Sequence, residues 1–112
     1  MVGGGQDAFI GAIHRLAANM DGLIELSCGA LSINPEIAVA SGKALFLSES
    51  RTYLTFEEMI KAEAVLPADE RMDFVTIVTP NFAHFAPAMM ALDYGFNVVI
   101  EKPITFSLEE AK

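Results

Sequence analysis

Residues 73–100, DFVTIVTPNFAHFAPAMMALDYGFNVVI, contain two short apolar runs, DFVTIV (73–78) and FNVVI (96–100), separated by a stretch of helical length. Neither run alternates polar with apolar residues over its length, which is the pattern of a strand covered on both faces, as in a parallel sheet. Between them Phe85, Met89 and Leu92 fall on one helical stripe, and Gly95 supplies the stop. Pro87 is compatible with that helix only in its first turn. Strand, helix and strand in this order form a βαβ unit, whose first strand runs at its carboxyl end into Thr79-Pro80-Asn81.

The remaining sequence extends the alternation. Residues 7–20 (DAFIGAIHRLAANM) place Ile13, Leu16, Ala17 and Met20 at helical spacing, with Asp21-Gly22 as a stop. LIELSCGALS (23–32) reads as a second strand buried on both faces. Asn34-Pro35 offers an N-cap and an N1 proline for a helix through EIAVASGKALF (36–46), and RTYL (51–54) reads as an edge strand. Thr55 and Glu58 form a capping box ahead of FEEMIKAEAVL (56–66), and Ser107 with Glu110 forms another. Strands alternating with helices imply an α/β fold with a doubly wound parallel sheet. Such sheets bind ligands beyond the carboxyl ends of their strands, at the point where strand order reverses. Those ends hold Gly3 to Gly5, Ser32, Thr79 to Asn81 and Glu101-Lys102-Pro103.

The bulk numbers fit one packed unit. The chain has 112 residues, 53% apolar and 20% charged, with a formal charge of −8. That charge argues against a nucleic-acid partner, although helix N-termini still bind small phosphates through local N–H groups. Cys28, the only cysteine, sits in an apolar run and reads as a buried small side chain. There is neither a signal-peptide pattern nor an apolar run long enough for a membrane span, and the expectation is a cytoplasmic protein with no membrane partner. Two separated histidines and one cysteine make no metal-ligand set, so no metal site is expected. The carboxylate pairs Glu57-Glu58 and Glu109-Glu110 lie in the first turns of capped helices, where they complement the helix dipole.

Three glycines at positions 3 to 5 stand where a first strand meets a first helix. A glycine turn there lets backbone N–H groups approach a pyrophosphate. Gly3 and Gly5 supply G-x-G, but the next glycine, Gly11, comes later than the usual dinucleotide fingerprint requires. The acidic residue expected after the second strand is absent. Ser32 stands near that place, and a neutral hydroxyl admits NADP as readily as NAD.

The segments VTIVTPNFAH (75–84) and GFNVVIEKPIT (95–105) resemble the N-terminal domain of the Gfo/Idh/MocA oxidoreductases, the family of glucose-fructose oxidoreductase, inositol dehydrogenase and rhizopine-catabolism enzymes. The opening GGGQDAFIGAIHR is similar to a subgroup with a longer glycine loop. The resemblance implies a Rossmann-like NAD(P)-binding domain over residues 1–112, with NAD or NADP as cofactor and a sugar or polyol as substrate. It places Gly3, Gly5, Phe9 and Ile10 along the cofactor pyrophosphate and Ser32 at the adenosine ribose. Thr79, Pro80, Asn81 and His84 would line the nicotinamide half of the cleft. Glu101 and Lys102 would meet the nicotinamide ribose and the substrate, with Lys102 the catalytic residue, because a nearby ammonium can polarise the hydroxyl whose proton must leave. His14 is read as packing or capping within the first helix.

Against the family pattern the first strand looks clipped, with only Met1 and Val2 ahead of the glycines, and the C-terminal α+β substrate domain, which often carries the homo-oligomer interface, is missing. The chain is therefore expected to be a fragment, weak or inactive alone. Two other readings stand beside the enzyme: a non-catalytic nucleotide-binding module or remnant, and a different doubly wound nucleotide binder such as a methyltransferase.

Overall fold

The computed structural model describes all of residues 1–112. In chain order the elements are β1 (Val2–Gly3), α1 (Phe9–Asn19), α2 (Pro35–Ala44), α3 (Phe56–Ala64), β2 (Phe74–Val78), α4 (Phe85–Asp93), β3 (Asn97–Ile100) and α5 (Leu108–Ala111). The three strands form a parallel sheet in the order β1-β2-β3, with Val2 opposite Ile77 and Phe74–Ile77 opposite Asn97–Ile100. On the other side of β1, two single parallel bridges continue the sheet, Val2 to Ala30 and Gly29 to Thr52. Numbered along the chain, the five extended segments lie in the order 3-2-1-4-5, the doubly wound arrangement expected from the sequence. Its reversal point falls between β1 and β2.

Alternate residues of the strands feed two cores. Val2, Val75 and Ile77 face α3 and α4, where they pack with Cys28, Ala30, Met59, Ile60, Met72, Ala91 and Phe96. On the opposite face Met1, Leu31 and Val78 pack with Ile10 of α1 and with Leu26, Leu45 and Leu47. The two-residue period of a strand thus separates Ile77 from Val78 by a full sheet thickness.

Helix starts follow their local signals. The Asn34 side chain accepts from the Glu36 and Ile37 N–H groups, and Thr55 Oγ1 accepts from Glu58. Ser107 and Glu110 complete a reciprocal capping box. Pro87 is the third residue of α4, within its first turn.

Four local expectations change. The segment 23–32 is buried only from Cys28 to Leu31 and pairs only through Gly29 and Ala30. Beside its first half lies a cavity of about 730 Å³, lined by Leu23, Cys28, Phe74, Thr76 and Val99 among others, so the chain there has no neighbour to pair with. Residues 49–51 form a 3-10 turn, and only Thr52 pairs at the sheet edge. The second helix ends at Ala44, before Phe46, which takes a left-handed φ of 58°. Finally, Ile13, Leu16 and Met20 of α1 are exposed, as are Met89 and Leu92 of α4; α1 buries Gly11, and α4 buries Pro87 and Ala91. These helices meet the sheet through small residues, which allow close approach, and turn their larger stripes outward.

One ion pair joins the sheet edge to the helical layer. Glu63 is fully buried at the end of α3. Its carboxylate accepts from Arg51 Nε at 3.0 Å and from Arg51 Nη2, from the Tyr53 hydroxyl at 3.1 Å, and from the Met72 N–H at 3.0 Å. Burial pushes this carboxyl upward, but those four donors outweigh it and hold it below the usual range. Tyr53, partly buried beside the carboxylate, is pushed up to about 12.

Removing the Glu63 carboxylate strands Arg51 and two further donors. Glu63→Ala is therefore expected to lower unfolding stability by about 3 kcal/mol in urea titrations. Because the carboxyl is depressed in the folded state, its contribution is complete above its unfolded value, about pH 4.3, and is lost as pH falls through the folded value. The stability gap between wild type and Glu63→Gln should accordingly narrow in acid.

Candidate functional site

At the reversal point the main chain of residues 1–5 lies between two neighbours. Gly3 N–H donates to Ala30 O at 2.9 Å and Gly5 N–H to Leu31 O at 3.0 Å, while Ala30 N–H donates back to Met1 O at 3.0 Å. Gly3 and Gly4 both take positive φ, 77° and 76°, which a side chain would strain. The glycines also sit against protein backbone. A Cβ on Gly3 would lie 3.1 Å from Thr79 N, and a Cβ on Gly11 would lie 2.4 Å from Gly4 Cα. The loop is glycine-rich first because α1 and the Thr79 turn press on it from two sides.

α1 starts immediately after this loop. Its N-cap, Ala8, has no side-chain oxygen to offer, and the first turn contains no acidic residue. α2, α3 and α5 begin on side-chain caps, whereas α1, like α4, does not, and the α1 N-terminus leaves its N–H groups and positive dipole end for another acceptor. Phe9 is exposed at that terminus and Ile10 half-buried against Leu31 and Val78. Arg15, one turn further on, donates from Nη1 to Gly4 O at 2.7 Å and holds the loop from below.

Ser32 lies at the end of the neighbouring segment, half-buried, its Oγ accepting from the Asn34 N–H at 3.1 Å. Across the reversal point, Thr79, Pro80 and Asn81 leave β2, with Pro80 and Asn81 exposed. Thr79 Oγ1 donates to Ala83 O at 3.0 Å and tightens the 3-10 turn over Asn81–Ala83. Glu101 and Lys102 leave β3, and Glu101 N–H still donates to Ile77 O at 3.0 Å, so their turn starts in register with the sheet. The Lys102–Pro103 peptide is cis. Lys102 is exposed, and its ammonium makes no hydrogen bond or ion pair within the protein.

Two site residues behave differently from the sequence expectation. Glu101 turns one carboxylate oxygen to its neighbour's N–H at 3.0 Å, and the other lies 4.0 Å from His14 Nε2 on α1, beyond hydrogen-bond distance. His84, expected to line the nicotinamide half of the cleft, is wholly buried, and both ring nitrogens are occupied: Nδ1 lies 2.6 Å from Pro103 O and Nε2 lies 3.0 Å from Thr79 O. It offers no free edge to a ligand. The spacing of His14 and Arg15 gave no sign of the contacts they make, because both depend on α1 crossing over the loop.

The strand ends thus bring together the glycine loop, an uncapped helix terminus, the Thr79–Asn81 turn and a free lysine, and Ser32 flanks them. The 730 Å³ cavity contains none of Gly3, Gly5, Ser32, Thr79–Asn81 and Lys102. No group of three His, Cys, Asp or Glu residues is placed to hold a metal ion, and no helix is long and apolar enough to cross a membrane.

Comparison with known proteins gives a consistent picture. A family model described as an oxidoreductase family with an NAD-binding Rossmann fold matches residues 8–112. An uncharacterised oxidoreductase, YfiI of Bacillus subtilis, is 33% identical over 113 aligned residues, covering 100% of this chain and 28% of its own length. Among solved structures, an oxidoreductase from Sinorhizobium meliloti is 47% identical with a TM-score of 0.89, covering 98% of this chain and 30% of that one. An inositol dehydrogenase homologue from Azotobacter vinelandii, crystallised with NADH and myo-inositol, is 40% identical with a TM-score of 0.93, covering 99% and 29%. The chain spans less than a third of the length of these relatives.

The contact between Gly4 and Gly11 is directly testable. Gly11→Ala drives a methyl into backbone and should cost about 2 kcal/mol. Gly22→Ala, where nothing lies within 4 Å but φ is 70°, should cost about 1 kcal/mol. Thermal denaturation of the two variants side by side checks the order.

Proposed function

The chain belongs to the Gfo/Idh/MocA oxidoreductase family and carries its NAD-binding Rossmann domain, and from that premise we propose that it is the cofactor-binding part of an NAD(P)-dependent oxidoreductase acting on a sugar, inositol or related polyol. One observation carries the reading: the uncapped α1 terminus and the free Lys102 ammonium stand beyond the carboxyl ends of β1 and β3, on either side of the point where strand order reverses.

The residues present fit a dinucleotide. The main-chain N–H groups at the Phe9-Ile10 start of α1, with the helix dipole, would hold its pyrophosphate, where a carboxylate cap would have repelled it; Gly3 and Gly5, whose own N–H groups are spent on Ala30 O and Leu31 O, would let it approach the loop closely. Ser32 would take a ribose hydroxyl at the adenosine end, and Thr79, Pro80 and Asn81 would line the nicotinamide end. When bound, the nicotinamide ring supplies hydride transfer. Lys102 Nζ would then stand beside the substrate hydroxyl and, as an ammonium donor, stabilise the negative charge that develops on the oxygen while its proton leaves to water. Glu101 would set the direction of the Lys102 turn by accepting from the Lys102 N–H.

Ser32 in place of a carboxylate favours neither NAD nor NADP by charge. A non-catalytic nucleotide-binding module is the second reading. It would share the glycine loop and have no use for the lysine.

Titration with NADH and with NADPH, followed by nicotinamide fluorescence, should show both binding with dissociation constants within roughly tenfold of each other. Binding of neither at millimolar concentration would end the cofactor reading. Lys102→Ala should leave NADH affinity within about threefold, while in any form of the protein that turns over it should lower kcat by about a hundredfold or more. Unchanged kcat would favour the non-catalytic module.

A further inference from the structure

The glycine loop is gripped from the side by a residue of α2. Ser41 is only 1% exposed, with Ala38 and Gly42 buried beside it on the same helix. Its Oγ accepts from the Gln6 N–H at 2.9 Å, across 35 positions of sequence, and this is the one hydrogen bond its side chain makes. Packing alone does not ask for a hydroxyl in that place. Alanine fills nearly the same space, favours the helix more and buries no polar atom. The oxygen answers to the loop.

Gly5 completes the contact. It is not among the glycines with positive φ, so its missing side chain has another cause: a Cβ there would lie 2.9 Å from Ser41 Oγ and 2.8 Å from Leu31 O. The loop therefore approaches α2 as closely as main chain allows. Around it the Gly5 N–H donates to Leu31 O, the Gln6 N–H to Ser41 Oγ, and the Ala8 N–H back to Gly5 O at 3.0 Å, which closes a turn over residues 5–8. The Phe9 and Ile10 N–H groups that follow have no acceptor in the chain.

We propose that Ser41 is a positioning residue for the cofactor pyrophosphate: its buried oxygen holds the Gln6 N–H, and with it the Gly5–Ala8 turn, so that the Phe9 and Ile10 N–H groups face the crevice before a ligand arrives. This deepens the cofactor-site reading and rests on it for the ligand, whereas the grip on the turn rests on the contacts just described. Ser41 acts through the loop and not on the ligand, since its Oγ is enclosed and already engaged. Gln6 and Asp7 are exposed, so without that bond the turn is tied only through Gly5. A turn that must be ordered at the moment of binding subtracts from affinity, and a turn ordered in advance does not.

Amide exchange in the ligand-free protein reads the grip. The Gln6 N–H should be protected in wild type and should exchange roughly tenfold faster in Ser41→Ala. A wild-type Gln6 amide that exchanges like an unstructured chain overturns the proposal. Fluorescence titration should show NADH binding to Ser41→Ala roughly tenfold more weakly, reflecting one lost hydrogen bond. ADP-ribose, followed by calorimetry, should weaken by the same factor because it carries the same pyrophosphate. Adenosine, which lacks it, should bind both proteins within about twofold. An equal loss for adenosine would make Ser41 a general structural residue, and unchanged NADH affinity would remove it from the site; either result overturns the proposal. Thr55→Ala, which uncaps α3 away from the crevice, is the control for lost stability and should leave NADH affinity within about twofold. If Ser41→Ala does not fold, Ser41→Cys, a weaker acceptor of similar size, is put through the same ligands and should give the same order of losses. If wild type binds neither NADH nor ADP-ribose, the cofactor reading fails and the pyrophosphate role with it, while the Gln6 amide still decides the grip.

Discussion

The main chain from Met1 to Gly5 is bonded on both sides, to Ala30 and Leu31 through one edge and to Ile77 and Val78 through the other. This short central run is where the two halves of a doubly wound sheet meet. Connections on one side pass over one face and those on the other side over the opposite face, so a gap opens above it. The glycine loop, the α1 terminus, the Thr79 turn and the Lys102 turn gather there because each leaves the carboxyl end of a strand that this run aligns. Close approach is the condition of that alignment: with Gly11 against Gly4 and Gly3 against Thr79 N, a side chain at either place would push α1 or β2 out of register.

Polar groups buried around this centre are used to fix the positions of turns. Glu63 gathers donors from Arg51, Tyr53 and Met72 and thereby ties the sheet edge to α3 and to the start of β2. His84 does the same between the ends of β2 and β3. Arg15 holds the glycine loop through Gly4 O, and Glu101 leans toward His14. In each case a side chain from one element satisfies groups on a loop or turn, which lets irregular segments stand at defined places without strand pairing of their own. The proposed chemistry needs that order, since a lysine acts on a substrate hydroxyl only from a fixed distance.

Much of the fold could be read in advance because its signals are local. The β-branched runs at 74–78 and 97–100, the caps at Asn34, Thr55 and Ser107, and the position of Pro87 each involve residues a few places apart. What could not be read depends on neighbours distant in sequence. Helical periodicity marked Ile13, Leu16 and Met20 as one face, yet nothing in that spacing says whether another element lies against it, and here none does. The apolar content of 23–27 suggested a buried strand, but a strand needs a partner edge, and the cavity lies in that place. His84 stood at the right distance from Thr79 to suggest a ligand contact, while its burial depends on Pro103 folding back over it.

By itself the sequence determined that the chain forms strands buried on both faces alternating with capped helices, and that glycines, a Thr-Pro-Asn turn and a lysine stand where such strands end. Hydrophobic period and hydrogen bonding by near neighbours suffice for that, since both act within a few residues. The tertiary structure alone decided which helix termini stay uncapped over the crevice, which apolar stripes face outward, and that a histidine, an arginine and a glutamate brace turns. Those outcomes are set by distances between residues up to 27 positions apart in sequence and more, as when Met1 N donates to Cys28 O. Such distances exist only once the parallel strands have been brought side by side.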